Sequence, residues 1–381
     1  MPTVRTADAE ERIDDYLDLL KTLVEIESPT HDEDANLEIA GVLEAELSAA
    51  GGVVERLPAL GLGVHLLARF AGEGPTDERP LLLVGHMDTV HAKGTLDRLP
   101  FALAGDRVTG PGVYDMKGGV AAAIVGLRLL QERGGMHKGP LHVLITCDEE
   151  IGSPTSRGII ESEAEDARAA LVVEPSVPGG KVKTRRKGVG GYVLSVAGIA
   201  AHAGIEPEAG ASAVHELANQ IGKILELQRV GEGTTINVGV LKGGTKENVV
   251  AAHAECTVDL RFWTEDEADR VDGALRELAP VDPRCTLSLD GGVNRHALEK
   301  TPESRRLFEI ARQSAKELGF ELGEGETGGG SDGNLTSAVG CPTLDGLGPD
   351  GGGAHAMTEH ILADDIPRRI ALMAALYERI P

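Results

Sequence analysis

Aromatic residues are scarce in this chain: five Phe, four Tyr and one Trp among 381 residues, 3% in all. That removes most of the stacking platforms on which single-stranded nucleic acid is held. Positive charge is short as well, with 37 Lys and Arg against 61 Asp and Glu and a formal net charge of -24. A surface so acidic repels polyphosphate and anionic headgroups, so neither nucleic acid nor membrane is expected as a partner. No apolar run approaches the roughly 18 residues of a membrane span. The polar segment Met1–Glu11 lacks the basic start and apolar stretch of a secretory signal. Cysteine is sparse: Cys147, Cys256, Cys285 and Cys341 lie far apart, with no CxxC pairing. Free thiols in a cytoplasmic protein are the expectation.

What the chain does have is glycine, 50 residues of it, and enough length for two domains. Ile13, Tyr16, Leu17, Leu20, Leu23 and Val24 recur at helical spacing, as do Leu37, Ala40, Leu43 and Leu47. Short apolar runs follow and alternate with helices: Val64 to Phe70, Leu81 to Val84, Leu141 to Thr146 and Leu171 to Val173 read as strands, Val120 to Leu130 as a helix. A run apolar on both faces, such as Leu81 to Val84, predicts a central strand of a mostly parallel sheet covered by helices. After Gly191 the pattern becomes β-α-β-β-α-β, with clean alternation through Cys256, Val258, Leu260 and Phe262. That order is the split-βαβ, ferredoxin-like unit. The expected organisation is an α/β domain over 1–189 and 296–381, interrupted by a compact insert over 190–295.

Five places bear chemistry, each where an expected strand or turn meets a loop, which is where open α/β sheets place their ligands. Gly85-His86-Met87-Asp88 follows a buried strand and sets a carboxylate beside an imidazole. Gly110 to Gly119 forms a glycine-rich turn that offers one acid, Asp115. Cys147-Asp148-Glu149-Glu150 ends another buried strand with adjacent acids able to split duties. Glu174 ends a third, and Gly351-Gly352-Gly353-Ala354-His355 supplies a late histidine. A lone histidine is more often a surface or core residue, and acidic pairs in an acidic chain usually face water. The recurrence of acids and histidines at the ends of apolar strands argues otherwise. There an unpaired charge is costly, and metal coordination is one of few remedies.

This ordered set, with Thr327-Gly-Gly-Gly-Ser-Asp332 and Ile366-Pro-Arg-Arg369 near the end, resembles the M20 family of two-zinc metallopeptidases over nearly the whole chain. Within the family it is most similar to the glutamate carboxypeptidase (carboxypeptidase G2-like) branch. The resemblance implies a two-zinc exopeptidase-type α/β catalytic domain carrying a ferredoxin-like lid and dimerisation insert. It implies two divalent metal ions bridged by Asp115, with His86 and Glu174 completing one site and Glu150 and His355 the other. Three carboxylates and two imidazoles suit zinc, with cobalt or manganese as alternatives. Glu149 would be the general base, and Asp88 would orient His86. From the lid, His202 would reach the partner chain's site in a homodimer, and Asn248 and Arg261, with Gly330 nearby, would grip a substrate carboxylate. Where relatives often read Arg-Pro, this chain has Asn294-Arg295-His296, which puts a substrate role for Arg295 in doubt. The basic run Lys183 to Lys187 reads as a hinge surface.

The expected activity is hydrolysis of an amide bond next to a free carboxylate, in an N-acyl amino acid or at a peptide C-terminus. A deacylase of an acetylated or succinylated amine, or a dipeptidase, would use the same metal site with a different pocket. A non-catalytic small-molecule binding protein on the same fold is the rival from another class, and the intact Glu149 and ligand positions argue against it.

Overall fold

The computed structural model describes residues 2–72 and 78–381. The chain divides into two compact units, one of Met1–Arg185, Lys300–Thr327 and Ser331–Pro381, the other of Arg186–Glu299 with Gly328–Gly330.

The first unit is built on a six-stranded sheet. Its centre is Leu81–His86, parallel to Leu141–Thr146 on one side and to Ala169–Val172 on the other. The short strand Thr343–Leu344 extends the parallel part beyond Ala169–Val172. Beyond Leu141–Thr146 the sheet turns antiparallel, through Gly63–Phe70 and then Val53–Ala59 at the edge. The sheet is mostly parallel, as expected, with three parallel pairings out of five and an antiparallel hairpin at one edge. Val53–Ala59 has few buried side chains and is held chiefly by its hairpin pairing, so its sequence lacks the apolar run of a core strand.

The apolar run Leu81 to Val84 follows from burial on both faces. Leu81 and Leu83 join a core that includes the helices Gly118–Glu132 and Ile366–Arg379. Leu82 and Val84 join a second core with Ile160, Ala164 and Leu335, beneath the helices Arg157–Asp166 and Asp332–Ala338. Alternate side chains point to opposite faces, so only a continuous apolar run serves a sheet covered twice. Each fully buried leucine here is worth about 1.5–3 kcal/mol over an exposed one. Close approach also sets residue choice where the helix Gly118–Glu132 begins: a Cβ on Gly119 would lie 1.9 Å from the Val173 carbonyl oxygen. Glycine there lets the helix start directly over the strand end.

The second unit has a four-stranded antiparallel sheet in the order Thr235–Gly243, His253–Phe262, Gly188–Ala197, Thr286–Arg295. Ala254, Cys256, Val258, Leu260 and Phe262 alternate into a core with Tyr192, Leu194 and Val196, under the helices Ala213–Glu226 and Glu265–Arg276. Thr257, Asp259 and Arg261 fall on the opposite, more open face. The element order is β-α-β-β-α-β. Thr264 stands at the N-cap of Glu265–Arg276, but its side chain makes no cap hydrogen bond.

The run Lys183 to Lys187 is not the exposed surface its charge suggests. Lys183 and Arg186 are buried, and Arg186 Nη1 donates to the carbonyls of Gly329 and Gly330 at 3.1 Å each. All four cysteines are buried and free. No helix among the described residues is long and apolar enough to cross a membrane.

Candidate metal centre

Parallel pairing sets three strand ends level. His86 lies opposite Thr146, and Val84 lies opposite Val172. The residues that follow each strand therefore emerge together at the carboxyl edge of the sheet, where His86, Glu149, Glu150 and Glu174 meet.

His86 is buried, and its ring nitrogens have different surroundings. Nδ1 lies 3.0 Å from the backbone carbonyl of Asp88 and 3.4 Å from its carboxylate Oδ1. The nearer steering partner is thus the Asp88 main chain. A carbonyl can only accept, so Nδ1 carries a proton, and Nε2 is the nitrogen that would offer its lone pair to a cation on losing its own proton. Nε2 stands 3.3 Å from Asp115 Oδ1 and 3.7 Å from Glu174 Oε1, and makes no hydrogen bond.

Asp88 has a second task. Its Oδ1 accepts the Glu149 N–H and its Oδ2 the Glu150 N–H, both at 3.3 Å, while Thr30 Oγ1 donates to Oδ2 at 2.7 Å. The turn bearing the two glutamates is fixed from below by another buried acid. Asp148 accepts from the backbone and hydroxyl groups of Thr155 and Ser156. Asp332, from the glycine-rich tail motif, accepts from the hydroxyls of Ser153 and Thr146.

Asp115 sits in the turn after Gly112, whose φ of +75° and crowded Cβ position, 2.7 Å from Thr89 Cγ2, suit only glycine. The two Asp115 oxygens face opposite ways. Oδ1 looks toward His86, and Oδ2 lies 3.3 Å from His355 Nε2, which is also 3.3 Å from Glu150 Oε2. Two imidazole–carboxylate pairs therefore share one central carboxylate. His355 is half exposed. Glu149 belongs to the cluster: ligand atoms of His86, Glu149 and Glu174 all lie within 4.8 Å of one another.

The electrostatics match. Burial alone would raise the Asp115 carboxyl, yet His355 and His86 hold it far below the carboxylate range. Burial alone would lower His86, yet Asp115 and Asp88 hold it well above its ordinary value. The carboxylates of Asp115 and Glu150 push His355 up to about 10. So concentrated a negative field draws positive charge, and with no cation the imidazoles take protons. Lys117 provides little of it, since burial pulls its ammonium down to about 7 while Nζ donates to the Ile26 carbonyl at 3.0 Å. The donor set fits a pair of divalent cations. His86 Nε2 and Glu150 Oε1 are buried at its centre without hydrogen-bond partners, and the carboxylates outnumber the imidazoles.

One residue of this arrangement escapes the sequence reading. Glu359 is fully buried and accepts hydrogen bonds from three N–H groups of the Asp115 turn. A lone acid in a loop of an acidic chain bears no mark in the sequence. The second-unit candidates are placed as follows. The loops of His202 and Asn248 pair, with Ala203 N–H donating to the Asn248 carbonyl at 3.0 Å, and both side chains are exposed. Arg261 Nε donates to Asp259 Oδ1 and Oδ2 at 2.9 and 3.0 Å, and Gly330 packs beside Arg295. Arg295 itself is buried.

Metal affinity should rise with pH. A cation held at His355, whose imidazole Asp115 and Glu150 push up to about 10, would have to displace its proton, so binding should weaken as pH falls, by about tenfold per pH unit for each proton displaced. Competition titrations against a chelator at acidic and at mildly alkaline pH check this. An affinity independent of pH across that range would contradict it.

Residues 82–379 match the model of peptidase family M20/M25/M40. The chain is 33% identical over 364 residues to carboxypeptidase G2 of Pseudomonas sp. (strain RS-16), covering 94% of this chain and 87% of that protein. It is 28% identical over 361 residues to succinyl-diaminopimelate desuccinylase of Thioalkalivibrio sulfidiphilus, covering 86% and 92%. Among solved structures, aminopeptidase PepT from Bacillus cereus superposes with a TM-score of 0.78 at 23% identity, over 96% of this chain and 98% of that one, a likeness of fold. The chain belongs to peptidase family M20/M25/M40, and it is a metal-dependent enzyme that hydrolyses amide bonds.

Proposed function

We propose that the enzyme cleaves an amide bond adjacent to a free carboxylate, in an N-acyl amino acid or at a peptide C-terminus. The observation that carries this reading is Asp115, whose two oxygens each face a separate imidazole–carboxylate pair. Asp115 would be shared by two cations, one completed by His86 and Glu174, the other by His355 and Glu150. Zinc suits this set of nitrogen and oxygen donors best, and cobalt or manganese fit it too. Bound there, two divalent cations supply Lewis acidity that polarises the scissile carbonyl and acidifies the attacking water.

The protein's own groups do the rest. Glu149 takes a proton as the water oxygen bonds to the carbonyl carbon, and returns it to the amine nitrogen as the C–N bond breaks. Asp88, through its carbonyl, keeps the His86 lone pair aimed at the centre. Arg261 and Asn248 receive the substrate carboxylate. Asp259 occupies the Arg261 Nε, which leaves the terminal nitrogens of the guanidinium for a bidentate partner. Similarity to a protein named a carboxypeptidase supports this substrate class. Similarity to a desuccinylase supports a second reading, a succinylated amine cleaved at the same centre.

The working form is a homodimer through the second unit, in which His202 of one chain completes the other's site. The edge strand Thr235–Gly243, with Val240 and Leu241 exposed, supports pairing across a two-fold axis. Its compartment is the cytoplasm, in keeping with four free, buried thiols.

Glu149→Gln should keep the fold and both metals while losing roughly 10²–10⁴ in rate, whereas Glu150→Ala should lose metal. Metal analysis beside single-turnover rates separates the two roles, and a metal-depleted Glu149→Gln would reverse the assignment. The carboxylate clamp has its own check. An amidated substrate should be cleaved far more slowly than the free acid, and Arg261→Ala, at a cost of roughly 2–5 kcal/mol in binding, should narrow that gap. Equal turnover of acid and amide by the parent enzyme would remove the clamp.

A further inference from the structure

Glu359 lies outside every pair described above, yet two other segments of the centre converge on its carboxylate. Oε1 accepts the N–H groups of Tyr114 and Asp115, both at 2.9 Å, and Oε2 accepts the N–H of Gly112 at 3.0 Å. His91 Nε2 closes on Oε2 at 2.6 Å. A carboxylate has room for about four donors, and here all four places are taken, so Glu359 has nothing left for a cation. The glycine turn that ends in Asp115 points successive N–H groups at one spot, a concavity made for an anion, and the anion that fills it belongs to the chain itself.

The sources of these partners carry the argument. His91 closes the segment that begins at His86 and Asp88. Gly112, Tyr114 and Asp115 form the turn that delivers the central carboxylate. Glu359 ends the loop that starts at His355, and its own N–H donates to the Ala356 carbonyl at 3.1 Å, which keeps that loop short and closed. One fully buried carboxylate thus fastens together the segments of His86, Asp115 and His355.

We propose that Glu359, locked by His91, is the positioning residue that aims the two oxygens of Asp115 at opposite sides of the centre. The inference rests on the reading of Asp115 as the shared ligand. A buried acid that merely stabilised the fold would need neither the Asp115 N–H nor a histidine from the His86 segment.

The test is Glu359→Gln in the full-length enzyme. Glutamine keeps the length but offers one accepting oxygen, so the turn loses part of its anchor. We expect zinc affinity, measured by chelator competition, to fall by about 10–100-fold. We expect kcat to fall while KM stays within about twofold, because Glu359 has no acceptor left for substrate. The visible spectrum of the cobalt-loaded protein should shift, as the ligand field of a re-aimed carboxylate changes. If Glu359→Gln does not fold, His91→Asn carries the same test, since it removes one donor and leaves the three backbone bonds; a smaller shift in the same three readouts supports the inference. A variant whose thermal midpoint falls while zinc affinity, kcat and the cobalt spectrum match the parent would overturn it. Asp115→Asn, measured in parallel, separates the two levels. If Asp115→Asn also binds zinc as the parent does, the ligand reading is wrong and the inference falls with it; if Asp115→Asn loses zinc and Glu359→Gln does not, the positioning role alone is refuted.

Discussion

Mutual repulsion among carboxylates is the constraint on which the rest of this structure depends. Asp115, Glu149, Glu150 and Glu174 come together at one edge of a sheet, with only two imidazoles among them. In water such groups would separate; near a protein interior, like charges a few ångströms apart cost several kcal/mol per pair. The raised pKa values of His86 and His355 show the field at work. Divalent cations would resolve that repulsion, so on the proposed reading the groups that burden the metal-free fold are those that would serve the chemistry.

Holding such a cluster takes anchors that do not add to its exposed charge. Asp88, Asp148, Asp332 and Glu359 are acids too, but buried, and each is filled by backbone N–H groups, hydroxyls or a histidine. They fix turns rather than present charge. The parallel strands set the height at which the segments of His86, Glu149–Glu150 and Glu174 leave the sheet, and the buried acids fix the turns of Glu149–Glu150 and Asp115. A cluster assembled from five separate segments can be held rigidly when buried groups tie its turns in this way.

How much of this is legible in the sequence depends on the physics behind each signal. Leu81 to Val84 and Leu141 to Thr146 stand out because a sheet buried on both faces demands unbroken apolar runs. The alternation through Cys256 to Phe262 stands out because one face of the second sheet is open. The residues of the centre are visible because an acid or a histidine at the end of an apolar strand is costly to bury unless a counter-charge or a cation meets it there. Val53–Ala59 is missed because an edge strand with little burial leaves no apolar pattern. The charge of Lys183 and Arg186 suggests solvent, whereas both are buried, Arg186 against glycine carbonyls, a partnership between segments that no local pattern encodes. Glu359 is hidden for the same reason. Its partners lie some 244 to 268 positions away in the chain, and only the fold brings them together.

The central claim, that one carboxylate divides this cluster between two cations, is tested most directly by anomalous scattering from a crystal of the metal-loaded enzyme. Data at the absorption edge of the bound metal should show two peaks flanking Asp115, one beside His86 and Glu174, the other beside His355 and Glu150. A single peak, or a pair that does not share Asp115, would contradict the account.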